Sequence, residues 1–255
     1  MKIISYSDVH LEFGSNWKPA RNVEGDLMIL AGDIISLKSY KPINRVLMNW
    51  SKPVLYVMGN HEYYTQKPMD YEEEAFKAWL TLNHPNVTLL LDKAISIEGI
   101  NFFGGTMWTD FNNADPLAQI TAGQQMNDFK LIKNPDGTLL QPQDTIQLHE
   151  NFVASLFHWL DEDLSGPRVV ISHHAPVVNP NTQYKNNPLM PAFNSLDMIE
   201  IIEQYQPALW VYGHTHECDY QMIGKTKIIS NQLGYPTRTG YECLGFDLAG
   251  MQTEL

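Results

Sequence analysis

Nine histidines occur in the 255-residue chain, and six of them fall in four strings: Asp8-Val9-His10, Gly59-Asn60-His61-Glu62, His173-His174-Ala175-Pro176 and Gly213-His214-Thr215-His216. Gly32-Asp33 adds another carboxylate. Imidazole nitrogen is the commonest protein ligand for transition metals, and carboxylate or amide oxygens complete mixed shells. Asp8 and His10 stand two residues apart, so both side chains can project to one side of a strand end. Asp33 has two oxygens and can bridge two cations, and Asn60 offers a neutral carbonyl oxygen. With the histidines at 174, 214 and 216, these donors are too many for one tetrahedral ion and suit two ions that share Asp33. Paired ions about 3.5–4 Å apart fit in-line displacement at phosphorus, because they hold an activated hydroxide and neutralise phosphoryl oxygens. One Asp-x-His or Gly-Asp arises often by chance. The full set, each behind an apolar run, does not follow from core packing.

Those apolar runs are the elements that must position the donors. Residues 3–7, 27–31, 54–58, 169–172 and 208–212 read as short strands buried on both faces. Residues 40–50, 71–83, 144–160 and 195–205 carry helical spacing, and Leu148, Phe152, Leu156 and Trp159 form one core stripe. Two hairpins turn at Gly99-Ile100 and Gly224-Lys225. Strands mixed with crossover helices predict a layered α/β fold with some antiparallel edges, most simply one domain over residues 1–255. Residues 106–143 are the least regular stretch, a candidate flap over the site or an insertion.

The motifs together resemble the calcineurin-like metallophosphoesterase superfamily, whose pattern is Asp-x-His, Gly-Asp, Gly-Asn-His-Asp/Glu, His and Gly-His-x-His. The chain is similar to its compact bacterial members through Ser7-Asp8-Val9-His10-Leu11-Glu12 and the string Thr106 to Phe111. The resemblance implies a four-layer α-β-β-α sandwich, two mixed β-sheets flanked by helices, with a dinuclear centre at the carboxyl ends of the strands. It implies one ion on Asp8, His10, Asp33 and His216, and the other on Asp33, Asn60, His174 and His214. His174 is preferred to His173 because the usual pattern is His-x-Pro and Pro176 lies two positions on. His173 then either supports a ligand from behind or faces the substrate. His61 is expected to bind no metal and to act as general acid or transition-state stabiliser, while a hydroxide bridging the ions attacks phosphorus in line. Glu62 either orients the His61 imidazole or closes the loop by a hydrogen bond.

The expected activity is hydrolysis of small phosphoesters, phosphodiesters ahead of monoesters, with two ions of Mn, Fe or Zn. Protein phosphatases share Gly-Asn-His-Glu, but their Gly-Asp-x-x-Asp-Arg-Gly is replaced here by Gly32-Asp33-Ile34-Ile35-Ser36-Leu37. The arginine that would grip a phosphate in two places is missing there. The same motifs also fit a phosphomonoesterase, or a non-catalytic scaffold that retains the fold. Tyr63, Tyr64, Trp108 and Phe111 are candidates to stack a substrate ring.

The net charge of −12, with nine acidic residues against two lysines between Thr106 and Gly166, argues against a nucleic-acid partner. No apolar run reaches the roughly 20 residues that span a bilayer. The first strand leads directly to Asp8, which disfavours a cleavable leader, so a cytoplasmic location is expected. Cys218 and Cys243 fit that location as free, structural thiols. Oligomeric state is not legible.

Overall fold

The computed structural model describes residues 1–255. Thirteen strands form two large sheets and one small hairpin. The first large sheet comprises β1 (Lys2–Tyr6), β2 (Leu27–Ala31), β3 (Val54–Val57), β4 (Val87–Leu90) and the last strand, in the order β13-β1-β2-β3-β4. The second comprises β5 (Lys93–Ile97), β6 (Ile100–Gly105), β7 (Arg168–Ser172), β8 (Leu209–Tyr212), β9 (Asp219–Ile223) and β10 (Thr226–Ser230), in the order β5-β6-β7-β8-β10-β9. The hairpin pairs β11 (Pro236–Thr237) with β12 (Gly240–Tyr241), and β13 (Met251–Glu254) closes the first sheet as an antiparallel edge on β1.

Alternation along the strands separates three cores. Ile3, Leu27, Ile29, Leu55 and Val57 of the first sheet face Phe102, Val169, Ile171, Leu209 and Val211 of the second. The residues between them point outward. Met28, Leu30 and Tyr56 pack under Phe76 and Leu80 of helix Met69–Asn83. Val170 and Trp210 pack under Phe152, Leu156 and Trp159 of helix Pro142–Leu160 and Ile201 of helix Met198–Tyr205. The result is the four-layer α-β-β-α sandwich. Central strands covered on both faces must be apolar throughout, which is why β2 reads Leu-Met-Ile-Leu-Ala.

The parallel strands β1, β2, β3, β7 and β8 all leave their sheets on one side, and every motif string sits on one of those exits. Residues 106–143 are anchored there as well. Phe111, Ala118, Ala122, Phe129, Ile132 and Leu140 enter the first sheet's outer core, and helix Pro116–Gln125 starts on an Asp115 cap. The segment is thus a packed wall, and its Gln125–Asp128 corner reaches the site.

Candidate metal centre

Asp8, His10, Asp33, His214 and His216 all adopt positive φ, between 44° and 72°. Left-handed backbone at a non-glycine residue costs about 1–3 kcal/mol and persists only where the surroundings over-determine it. Here the strand exits do so by pairing with one another. Asp8 N–H donates to Gly32 O, His10 N–H to Asp33 O and Gly213 N–H to His173 O, at 2.9–3.0 Å. Gly32 (φ 86°) and Gly59 leave no room for a Cβ, because the His173 ring and the Asp33 carboxylate lie against them. The two glycines let two sheets bring their loops within ligand distance.

The donors collect in two groups around Asp33. On one side are Asp8, His10 and His216, with His10 Nε2 3.0 Å from His216 Nε2 and 3.8 Å from Asp33 Oδ2. Asp8 Oδ1 is 3.6 Å from His216 Nε2. On the other side are His173, His214 and Asn60. His173 Nε2 lies 3.1 Å from Asn60 Oδ1, 3.1 Å from His214 Nδ1 and 3.5 Å from Asp33 Oδ1. The two oxygens of Asp33 therefore face different nitrogen clusters.

Hydrogen bonds behind the rings fix which atoms point inward. His173 Nδ1–H can donate only to the Ala31 carbonyl, at 2.9 Å, so its Nε2 carries a lone pair. Asn60 gives its amide N–H groups to Tyr64 and the Asp128 carboxylate, which turns its Oδ1 toward that same lone pair. Two acceptors facing each other at 3.1 Å repel unless a cation lies between them. On the other side, Glu12 accepts from His10 Nδ1 at 3.1 Å and Glu242 from His216 Nδ1 at 2.7 Å, directing both Nε2 atoms to one point.

The electrostatics agree. Burial pushes the Asp8 carboxyl up to about 6 and, with the charges of Glu62 and Asp8, holds Asp33 well above the carboxylate range. Burial also lowers His10 to about 3 and keeps His173 and His214 well below the imidazole range, so these rings are neutral, as metal ligation requires. His214 Nε2 is buried without a hydrogen-bond partner. Two buried carboxylates among neutral imidazoles form a cage that a pair of divalent ions fits.

The structure corrects one expectation. His173, not His174, places a ring nitrogen among the donors. His174 makes no polar contact with the donors: its Nδ1 lies 3.2 Å from Thr106 O, and its ring packs between Trp108 and the His214 ring. The β7 backbone alternates sides, and only position 173 faces Ala31 and Asn60 across the gap. We expect His173→Ala to purify with one ion fewer than wild type and His174→Ala to keep both, as measured by elemental analysis. The reverse pattern would restore His174 as the ligand.

Glu62 is the loop-closing group rather than the orienter of His61. Its buried carboxylate accepts from Tyr56 Oη (2.6 Å) and from the backbone N–H groups of Gly59 (2.7 Å), Ile34 (2.8 Å) and Asp33 (2.9 Å). Glu62→Ala leaves these donors without an acceptor, at more than about 3 kcal/mol in total. For a chain of this size the melting temperature is expected to fall by roughly 6–12 °C, read by thermal denaturation. A fall of less than about 2 °C would contradict this role.

His61 instead hands its Nδ1 to Glu12 Oε1 at 2.9 Å, its Nε2 stands 3.1 Å from Tyr235 Oη, and its ring lies on Tyr64. Burial works against the charged Glu12, but the imidazoles of His10 and His61 hold its carboxyl down at about 2. Of the four aromatics proposed for stacking, only Tyr64 lines the cavity over the cluster; Tyr63, Trp108 and Phe111 are buried in packing. Tyr235, Asp128 and Glu242 are site residues with no sequence signal, each isolated from any motif. Glu12 had one, standing inside the Asp-x-His-Leu-Glu string. The cavity holds about 330 Å³, and its polar lining includes Gln125, Asn127, Tyr184, Asn187 and Thr215.

The profile of the calcineurin-like phosphoesterase family matches residues 1–218, most of the chain and every donor. The chain belongs to this family. By that membership it is a metal-dependent phosphoester hydrolase with a dinuclear site. An uncharacterised protein of Acanthamoeba polyphaga mimivirus is 28% identical over 263 residues, covering 92% of each chain. A Caenorhabditis elegans protein is 22% identical, covering 85% of this chain and 64% of its own length. Among solved structures, a phosphopantetheinyl hydrolase from Mycobacterium tuberculosis superposes with a TM-score of 0.68 at 17% identity, over 92% of this chain and 89% of that one. A dimetal phosphatase from Danio rerio superposes with a TM-score of 0.51 at 13% identity, over 91% and 87%. Both share the fold. No helix is long and apolar enough to cross a membrane.

Proposed function

We propose that this metallophosphoesterase hydrolyses small phosphoesters, phosphodiesters ahead of monoesters, with His61 as the proton donor to the leaving oxygen. The observation that carries this reading is Asp33, whose two oxygens face separate nitrogen clusters. One ion would take Asp8, His10, Asp33 and His216, and the other Asp33, Asn60, His173 and His214. When bound, such ions supply Lewis acidity and a nucleophile from water near neutral pH. Mixed oxygen and nitrogen donors suit Mn, Fe or Zn.

The chain's own residues do the rest. Glu12 accepts the Nδ1 proton of His61 and fixes the orientation of its ring, and Tyr235 Oη marks where Nε2 meets the substrate. A positioned acid is typically worth about 10²–10⁴-fold in rate. Asn60 is held by Asp128 and Tyr64, so its carbonyl stays aimed inward. No arginine lines the cavity, which favours the single charge of a diester over the greater charge of a monoester. The lack of an arginine also disfavours a protein-phosphatase role, and the complete donor set disfavours a scaffold. We further propose one domain over residues 1–255, acting in the cytoplasm, where Cys218 and Cys243 stay free thiols.

The test is a steady-state assay of bis(p-nitrophenyl) phosphate and p-nitrophenyl phosphate, after metal removal and reloading with Mn²⁺, Fe²⁺ or Zn²⁺. A higher kcat/KM on the diester is expected. No turnover of either ester with any ion would defeat the reading, and a monoester preference would reverse its diester clause.

A further inference from the structure

A second cavity, of about 700 Å³, opens beside the one over the donor cluster. The two share His61, Tyr64, Asn127 and Tyr235, so His61 stands on the partition between them. Their linings differ in kind. The first is walled mostly by amides, hydroxyls, imidazoles and the carboxylates Asp33, Asp128 and Glu242, with Met126 and Phe193 at its side, whereas the second presents Phe13, Leu131 and Pro236, with Ser36 and Lys38. Phe13 is 54% exposed and Tyr235 39%, and their rings meet edge to face at 5.4 Å, forming an aromatic ledge next to His61. Large aromatics left open to water beside a catalytic histidine are available to a ligand ring. Lys38 is the only Lys or Arg side chain that lines either cavity of this acidic protein. Glu12, the carboxylate of the second cavity, is already engaged by the His10 and His61 rings.

We propose that this second cavity is the leaving-group subsite, and that it takes a ring-bearing leaving group with an oxyanion substituent, a carboxylate or a phosphorus oxyanion. The inference rests on the phosphoesterase reading above. In-line displacement at phosphorus expels the leaving oxygen on the face opposite the incoming water. The proton donor must stand on that face. His61 Nε2 lies 4.0 Å from Asp33 Oδ2 on the side of the donor cluster and 3.1 Å from Tyr235 Oη, on a residue that both cavities share. The reaction forms one P–O bond from water and breaks the ester P–O bond. The departing oxygen keeps the bonding pair and takes a proton from His61, which is replenished from the water. The ring then lies on Phe13 and Tyr235, with its anion within reach of Lys38. The non-leaving ester group occupies the polar cavity.

The experiment compares three methyl aryl phosphates, with a carboxylate, a phosphonate or a neutral carboxamide at the para position of the ring. With the Mn²⁺-loaded enzyme, kcat/KM for the better charged ester is expected to exceed that for the carboxamide by about three- to fivefold, the size of an exposed ion pair. Ranking the carboxylate against the phosphonate identifies the anion. Lys38→Ala is expected to bring the charged-to-neutral ratio to about one and Lys38→Glu to take it below one. Lys52→Ala, on a different surface pocket, keeps the wild-type ratio. Phe13→Ala raises KM for all three esters. A charged-to-neutral ratio that ignores both Lys38 variants would overturn the subsite while leaving the phosphoesterase reading intact. Absence of turnover on all three esters would overturn that reading and the inference with it.

Discussion

Asp33→Asn is expected to purify with at most one ion per chain and to lose at least about 10³-fold in kcat/KM, roughly 4 kcal/mol of transition-state stabilisation. Asparagine keeps one inward oxygen and replaces the other with an NH₂ group. One of the two nitrogen clusters then faces a donor where it needs a shared anion, whichever way the amide turns. A second consequence separates loss of metal from a damaged fold. Without ions, the Asp33 carboxylate is a buried charge near Glu62 and Asp8, and its pKa in the folded chain lies above its unfolded value. A carboxyl of that kind binds more protons folded than unfolded, so the metal-free wild type loses stability as pH rises from the unfolded carboxylate range through the folded pKa. Asparagine has no charge to bury. Metal-free Asp33→Asn should therefore melt above metal-free wild type at pH 7, and metal-loaded wild type should melt above both. Calorimetry of the three samples gives the order. Full metal content and near wild-type turnover in Asp33→Asn would show that the two ions do not share this aspartate.

His61→Ala is expected to do the opposite on the metal axis: both ions stay, and kcat falls by about 10²–10⁴-fold with little change in KM. The distinction has content because His61 Nε2 lies 4.0 Å from Asp33 Oδ2, close enough to be taken for a third ligand with His10. Its other contacts favour the acid role, since Nδ1 is committed to Glu12 and Nε2 meets Tyr235 at the cavity partition. Proton donation also predicts a dependence on the leaving group. The loss should be largest for alkoxide leaving groups and small for p-nitrophenolate, which departs without a proton. An equal loss across leaving groups, or departure of one ion from the variant, would assign His61 to electrostatics or to the metal shell.

The positions of the donors were legible because the fold advertises them. Strands covered on both faces are continuous apolar runs, and the residues that end such runs at a common sheet edge are brought together by topology. Asp8, Asp33, Asn60 and His214 all follow that rule. The choice within His173-His174 was not legible, because it depends on the carbonyl of Ala31 at the end of β2 and on the missing side chain of Gly32 just beyond it, both on the other sheet's side of the gap. The motif spacing that favoured His174 does not report which face of β7 meets that sheet. Asp128, Tyr235 and Glu242 come from segments without a motif and act through contacts made across the fold, which leave no local trace. Glu62 shows the converse. Its type and place in the motif were visible, but its role as acceptor for Gly59, Ile34 and Asp33 depends on two loops converging. Local chemistry set the element ends less well. Helical spacing over 40–50 yields only Ile43–Leu47, and the short strand β4 and edge strand β13 carry too few residues to announce themselves.

The most direct measurement is an anomalous difference map from crystals of the Mn²⁺-loaded protein at the manganese edge. Two peaks about 3.5–4 Å apart are predicted, one on Asp8, His10 and His216 and the other on Asn60, His173 and His214, with the Asp33 carboxylate between them. A single peak, or density elsewhere with Asp33 touching no ion, would contradict a dinuclear centre built on this aspartate.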